Sequence, residues 1–209
     1  MKRRKVKKRW DAIAQRFPPD AKLRGAEVGV WKGQCSAALL SRLLNLTLYM
    51  VDRWSVYSEQ EKARDPISLQ VRRAQQAFAS ADIRARRAVQ RYGRRAKILK
   101  MSSAEAVCLF EDATFDFVFI DGDHSYEGVR DDIERWLAKV KPGGWLCGHD
   151  YTRAGKRPGI TRAVDEAFRG TIEADDDSTW FYRVGEDEEN HIVRVQSDLV
   201  AYPAQEATE

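Results

Sequence analysis

The stretch from Phe115 to Tyr151, FDFVFIDGDHSYEGVRDDIERWLAKVKPGGWLCGHDY, changes its periodicity twice, and few folds accommodate that. Phe115, Phe117, Val118, Phe119 and Ile120 form an apolar run of strand length, broken at Asp121 and Gly122, the pattern of a parallel strand covered on both faces. From Tyr126 the spacing turns helical, with Val129, Ile133, Trp136, Leu137 and Val140 at i, i+4, i+7, i+8 and i+11. Lys141, Pro142, Gly143 and Gly144 are expected to stop this helix, and Trp145, Leu146 and Cys147 to begin a second strand running into Gly148, His149 and Asp150. A strand, helix and strand of this length suit a right-handed parallel crossover. Ligands of open α/β sheets lie beyond the carboxyl ends of the strands. Asp121, Asp123, His124, His149 and Asp150 all fall there.

The rest of the chain extends the pattern. Trp10, Ile13, Ala14 and Phe17 give an amphipathic helix before Pro18 and Pro19. Ala26 to Val30 reads as a first buried strand, Gly29 to Gly33 as a turn, Ser36 to Leu44 as a helix and Leu46 to Val51 as a second strand ending at Asp52. Residues 55–95 carry no strand pattern. Ile67, Leu69, Val71, Ala74, Ala77, Phe78 and Ala81 predict an inserted helical region over or beside the site. Lys97 to Met101 is a third strand, Ala104 to Phe110 and Ile160 to Phe168 are helices, and Thr171 to Ala174 and Thr179 to Val184 are two final strands that could pair antiparallel. Residues 191–196 offer an additional edge strand. The expected fold is α/β, a Rossmann-like, doubly wound, mostly parallel seven-stranded sheet with helices on both faces. The expected organisation is a basic arm at 1–9, one domain at 10–190 and a tail at 191–209.

Charge is segregated. Seven of the first nine residues are Lys or Arg, residues 64–95 hold nine arginines, and residues 173–189 hold eight acidic side chains. A solvated tail and a solvated helix face account for the basic segments, with nucleic-acid binding the sharper alternative. No run approaches the roughly 18 apolar residues of a membrane span. The basic start leads into an amphipathic helix, so no signal peptide is expected. Cys35, Cys108 and Cys147 are scattered and odd in number, which argues against a disulfide framework and for a cytoplasmic setting.

Glu27, Gly29 and Gly33 lie in GAEVGVWKG, between a predicted strand and helix. Glycine there permits a sharp turn and close approach of backbone to a ligand. Asp52 ends the next strand, roughly twenty residues on, where a carboxylate can accept from ribose hydroxyls. The pattern is ExGxxxG rather than GxGxxG, which disfavours a dinucleotide and favours an adenosine-containing cofactor without a pyrophosphate.

GAEVGVWKG, VDRW, FDFVFIDGDHSYEGVRDDIERW, KPGGWLCGHDY and GITRAVDEAF, in this order, resemble the class I S-adenosylmethionine-dependent methyltransferases. Within them the chain resembles the branch of macrocin-type sugar O-methyltransferases and cephalosporin-hydroxylase-like proteins, and more distantly the catechol O-methyltransferases. The likeness spans about residues 10–184, with DGDHSYE its most specific part. It implies that Glu27 and Gly29 line the methionine end of S-adenosylmethionine, that Gly33 shapes the turn, that Asp52 holds the ribose, and that Ser102 and Ser103 lie by the adenine. Trp54 would cover the cofactor or simply pack. The metal-dependent relatives imply Mg2+ or another divalent cation at Asp121, His149 and Asp150, with His124 as general base. His149 departs from their pattern, since imidazole is a poor Mg2+ ligand beside oxygen donors. It would favour Mn2+, serve as a second base, or pack. Tyr126, Glu127 and Tyr151 fall near this edge and could contact an acceptor, with Glu127 equally suited to favour the start of its helix.

The expected activity is methyl transfer to a hydroxyl of a small molecule, whether a sugar, a natural product or a phenol. A nucleic-acid methyltransferase is the alternative that the basic segments would suit, and a non-enzymatic binding module on the same fold is another.

Overall fold

The computed structural model describes residues 8–55, 69–152, 157–175 and 177–185. Its elements, in chain order, are α1 (Arg9–Ala14), β1 (Lys22–Val28), α2 (Gln34–Arg42), β2 (Asn45–Val51), α3 (Leu69–Val89) with a 3₁₀ turn at Gln90–Arg95, β3 (Ala96–Leu99), α4 (Ser103–Val107), β4 (Phe115–Ile120), α5 (Tyr126–Leu137), β5 (Val140–Gly148), α6 (Pro158–Phe168), β6 (Glu173–Ala174) and β7 (Trp180–Arg183). One sheet runs in the order β3-β2-β1-β4-β5-β7-β6. Strands β1 to β5 are mutually parallel, and β7 is antiparallel to both β5 and β6. The strand order reverses between β1 and β4, and the carboxyl ends on either side of that point frame a crevice.

Side chains alternate across the sheet because the strand period is two. Val118 and Ile120 of β4 join one core with Val129, Ile133 and Trp136 of α5 and with Ile160, Val164 and Phe168 of α6. Phe117 and Phe119 enter the opposite core with Leu39 and Leu40 of α2, Ala81 and Ala85 of α3 and Ile13 of α1. Helices thus cover both faces, and the strand-helix-strand expectation for this region is met. One detail differs. Residues 140–144 belong to β5 and not to a helix end, and α5 already stops at Leu137. From Phe115 to Phe117 the ladder advances two positions on β4 while its partners advance from Val140 to Trp145 on β5, so the intervening KPGG bulges out of the pairing. Gly143 takes φ 76° there, and the bulge stays tied to the end of β7 through Gly143 N–H to Val184 O at 3.0 Å.

Helix α3 occupies part of the 55–95 segment expected to be helical, and none of its residues lines the cavity at the carboxyl ends of the strands. Its buried face is Ala81, Ala85 and Val89, with Phe78 half-buried, while Ala77 is exposed. Gly33, left-handed at φ 73°, caps α2. A Cβ on it would lie 2.9 Å from the Ala85 backbone, so the two helices meet closely because that position is glycine. Residues 56–68 and the edge-strand candidate at 191–196 lie outside the described residues. Among the described residues no helix is long and apolar enough to cross a membrane.

Candidate functional site

A cavity of about 210 Å³ opens at the carboxyl ends of β1, β2, β3 and β4. Val28, Val51, Met101 and Ala104 give it apolar walls, and Asp52, Ser102, Ser103, Asp123, Asp131 and Asp132 supply polar groups. Gly29 stands where the β1 turn meets the β4 end. At φ 90°, a Cβ there would come within 2.2 Å of the Asp121 carbonyl oxygen, so only glycine lets these two strand ends close together. Asp52 Oδ2 accepts the backbone N–H groups of Val30 (3.0 Å) and Trp31 (2.8 Å), and Oδ1 accepts that of Trp54 (2.7 Å). The end of β2 therefore holds the glycine turn in place while facing the cavity.

The serines line the cavity and also have structural duties. Ser102 caps α4 in a reciprocal box with Glu105, which accepts its N–H at 2.8 Å. Ser103 donates to Asp132 at 2.5 Å and accepts Trp136 Nε1–H at 2.8 Å. Asp132 is buried, and burial pushes its carboxyl up to about 6. Trp54 is buried with φ 45°, donates its indole N–H to the Trp31 carbonyl at 2.7 Å and is not among the residues lining the cavity. Glu27 also stays outside it. The carboxyl is 1% exposed, accepts the Ser36 hydroxyl of α2, and is pushed up to about 8 chiefly by burial.

Beside the cavity lies the polar edge. Gly122 and Asp123 line the cavity, and their neighbours Asp121 and His124 face Asp150 across the ends of β4 and β5. His124 Nε2 is 3.4 Å from Asp150 Oδ2 and 3.8 Å from Asp121 Oδ1. Asp150 sits in the left-handed region at φ 61°, a conformation aspartate tolerates better than most side chains. His149 Nδ1 lies 3.2 Å from Asp150 Oδ1 and 3.7 Å from Asp121 Oδ1, and among the described residues its buried Nε2 has no hydrogen-bond partner. Among the described residues, the three side chains that bring one ligand atom each within 4.8 Å of the others are Asp121, His124 and Asp150. Asp123 accepts the Ser125 N–H at 2.8 Å, a turn contact at the start of α5. Tyr126 and Tyr151 donate to Glu166 (2.5 Å) and Asp165 (2.8 Å) of α6.

Two arginines complete the edge, and sequence reasoning passed over both. Arg9 Nη1 donates to Asp121 Oδ2 at 2.5 Å, and Arg157 Nη1 lies 3.0 Å from His124 Nδ1 with Nε 3.7 Å from Asp150 Oδ2. Arg9 was hidden in a run read as a solvated tail, and Arg157 in a loop without periodicity. Asp132 did leave a signal, because it stands on the same helical face as Val129, Ile133 and Trp136.

Several known proteins share this architecture. The structure of the O-methyltransferase NovP superposes with a TM-score of 0.60 at 21% identity, covering 85% of this chain and 79% of that one. A SAM-dependent O-methyltransferase of Thermotoga maritima gives 0.51 at 16% identity, covering 82% and 54%. These likenesses establish the fold. An uncharacterized Sinorhizobium fredii protein, y4gI, is 34% identical over 61 residues, which make up 29% of this chain and 7% of that protein. Residues 26–151 match a family model described as a methyltransferase domain, a span running from β1 through the cavity to the end of the polar edge, and the chain belongs to that methyltransferase family.

Proposed function

We propose that this protein transfers a methyl group from S-adenosylmethionine to a hydroxyl of a small molecule such as a sugar, a phenol or another natural product. The observation that carries this reading is continuity. Gly122 and Asp123 line the cavity while the adjoining Asp121 and His124 belong to the polar edge, so a cofactor in the first and an acceptor at the second would meet. The cavity fits an adenosyl group, with apolar walls at Val28, Val51 and Met101 and a carboxylate at Asp52. When bound, S-adenosylmethionine supplies an electrophilic methyl on a sulfonium, and the remaining work is orientation and deprotonation of the acceptor.

His124 is the proton acceptor. Arginine N–H groups only donate, so the Arg157 contact makes Nδ1 an acceptor and leaves the ring proton on Nε2, towards Asp150 and Asp121. An acceptor hydroxyl that takes the place of Arg157 at Nδ1 meets a lone pair already aimed at it. As the oxygen–methyl bond forms and the sulfur–methyl bond breaks, the hydroxyl proton passes to Nδ1, and the two carboxylates stabilise the imidazolium. Asp121 and Asp150 then orient and stabilise the base.

The divalent cation implied by the family resemblance does not fit this edge as it stands. Asp121, His124 and Asp150 form a chemically competent donor set, but one Asp121 oxygen is held by Arg9, and Arg157 lies against the other two side chains.

Calorimetry with S-adenosylhomocysteine and with NAD, followed by mass spectrometry of a panel of hydroxyl acceptors incubated with S-adenosylmethionine, tests this reading. Binding of the adenosyl ligand and methylated products are expected. Binding of NAD alone would refute it.

A further inference from the structure

Arg9 is the least expected member of the site, coming from a helix more than a hundred residues away in sequence from its partner Asp121. Its placement is not that of a loose tail. The Arg9 backbone N–H donates to Asp177 at 2.8 Å, Asp11 pairs with Arg42 of α2 at 2.7 Å, and Ile13 is buried in the core formed with α2 and α3. Just beyond α1, Arg16 pairs with Glu173 at 2.5 Å and stacks over the Phe181 ring at 3.4 Å from its centroid. Short as α1 is, these contacts tie it to α2 on one side and to the β6–β7 pair on the other. The guanidinium thus arrives at Asp121 on a fixed support, with its side chain only 28% exposed.

We propose that Arg9 is the resident counter-cation of Asp121, as Arg157 is of Asp150, and stands where a divalent metal would otherwise be held. This inference rests on the methyl-transfer reading and deepens it, making the transfer metal-free. Two carboxylates at the edge face two guanidinium groups, Arg9 on Asp121 and Arg157 on Asp150. A divalent ion entering the same space would lose one Asp121 oxygen to Arg9 and would lie beside two like charges in a partly desolvated setting, where repulsion is only weakly screened. A fixed guanidinium performs the electrostatic part of the metal's task. It holds the Asp121 carboxylate directed at the edge, and leaves His124 free of ligation to take a proton. Arg9 is in this sense a positioning residue acting through Asp121.

Mn2+ binding followed by electron paramagnetic resonance, alongside calorimetry with S-adenosylhomocysteine, separates this idea from the reading on which it rests. Wild type is expected to bind Mn2+ weakly. Arg9→Ala and Arg9→Gln, the latter keeping much of the side-chain length so that α1 stays packed, are expected to bind Mn2+ at least about tenfold more tightly. Adding Asp121→Asn to either variant should abolish the gain, and Arg9→Lys should largely restore the block. Equal Mn2+ affinity in wild type and both Arg9 variants overturns the proposal. Loss of S-adenosylhomocysteine binding in wild type would instead overturn the methyl-transfer reading, whatever the Mn2+ result.

Discussion

Ser36 on α2 donates its hydroxyl hydrogen to Glu27 on β1, joining a helix to a strand through a carboxyl that is sealed from solvent. Burial pushes that carboxyl from 4.5 up to about 8, so the folded chain retains a proton at neutral pH that the unfolded chain has released. The unfolded state binds fewer protons across this interval, and stability falls as pH rises from about 4.5 to about 8. Asp132, raised to about 6, adds to the fall over its lower part, while Asp82, held low by Lys100 and Arg86 against its own desolvation, works in the opposite sense at acid pH. Glu27→Gln should flatten the decline and gain on the order of a few kcal/mol over wild type near pH 8. Urea unfolding near pH 5 and pH 8 measures this, and parallel behaviour of the two proteins would show that Glu27 does not hold its proton.

His124→Ala should lower kcat by about 10²–10⁴-fold, the usual contribution of a positioned general base. The side chain lies at the polar edge and not in the cavity, so affinity for S-adenosylhomocysteine should stay within about twofold of wild type, the range in which RT ln K changes by only a few tenths of a kcal/mol. Steady-state kinetics with calorimetry on the same preparation reads both. A fall in ligand affinity with kcat intact would assign His124 to binding.

Asp52→Ala removes the acceptor for three backbone N–H groups as well as the carboxylate facing the cavity. Leaving partly buried amides without partners costs about 1–3 kcal/mol. Weaker S-adenosylhomocysteine binding should accompany the lower stability, whereas Asp52→Asn, which keeps one acceptor oxygen, should recover part of each. Urea unfolding and calorimetry on both variants decide it, and full cofactor affinity in Asp52→Ala would remove Asp52 from the site.

Gly29→Ala places a methyl within 2.2 Å of the Asp121 carbonyl oxygen at a backbone φ of 90°. Strain and collision act together, and the loss should exceed about 3 kcal/mol, in the tail of single-substitution effects. Gly93→Ala is the control. It also has positive φ, but among the described residues nothing lies within 4 Å of the added carbon. Thermal unfolding should rank Gly29→Ala well below Gly93→Ala, and equal midpoints would mean that the β1 turn and the β4 end can part without cost.

The strand at Phe115–Ile120 was legible because a parallel strand buried on both faces is nearly continuously apolar, here broken at Asp116, and the helix after it because Val129, Ile133 and Trp136 keep one face. The glycine turn and Asp52 were legible from spacing along the chain. What escaped was long-range or irregular. The KPGG segment carries helix-stop chemistry, yet it bulges within β5 because the end of β7 supplies its hydrogen bonds. The reach of Arg9 to Asp121 depends on where α1 docks. No local pattern encodes such contacts, since they are fixed only once the sheet has brought distant segments together.

The sheet order also bears on synthesis. Among the described strands β7 is the last to be made, yet it lies inside the sheet, between β5 and β6, and covers the flank of β5 from Trp145 to Gly148. Until Trp180–Arg183 leave the ribosome, the growing chain presents β5 as an open edge of unpaired amides and carbonyls beside an apolar face. Nascent chains stalled before Trp180 should therefore be prone to aggregation and to chaperone capture, and those extended past Arg183 should not.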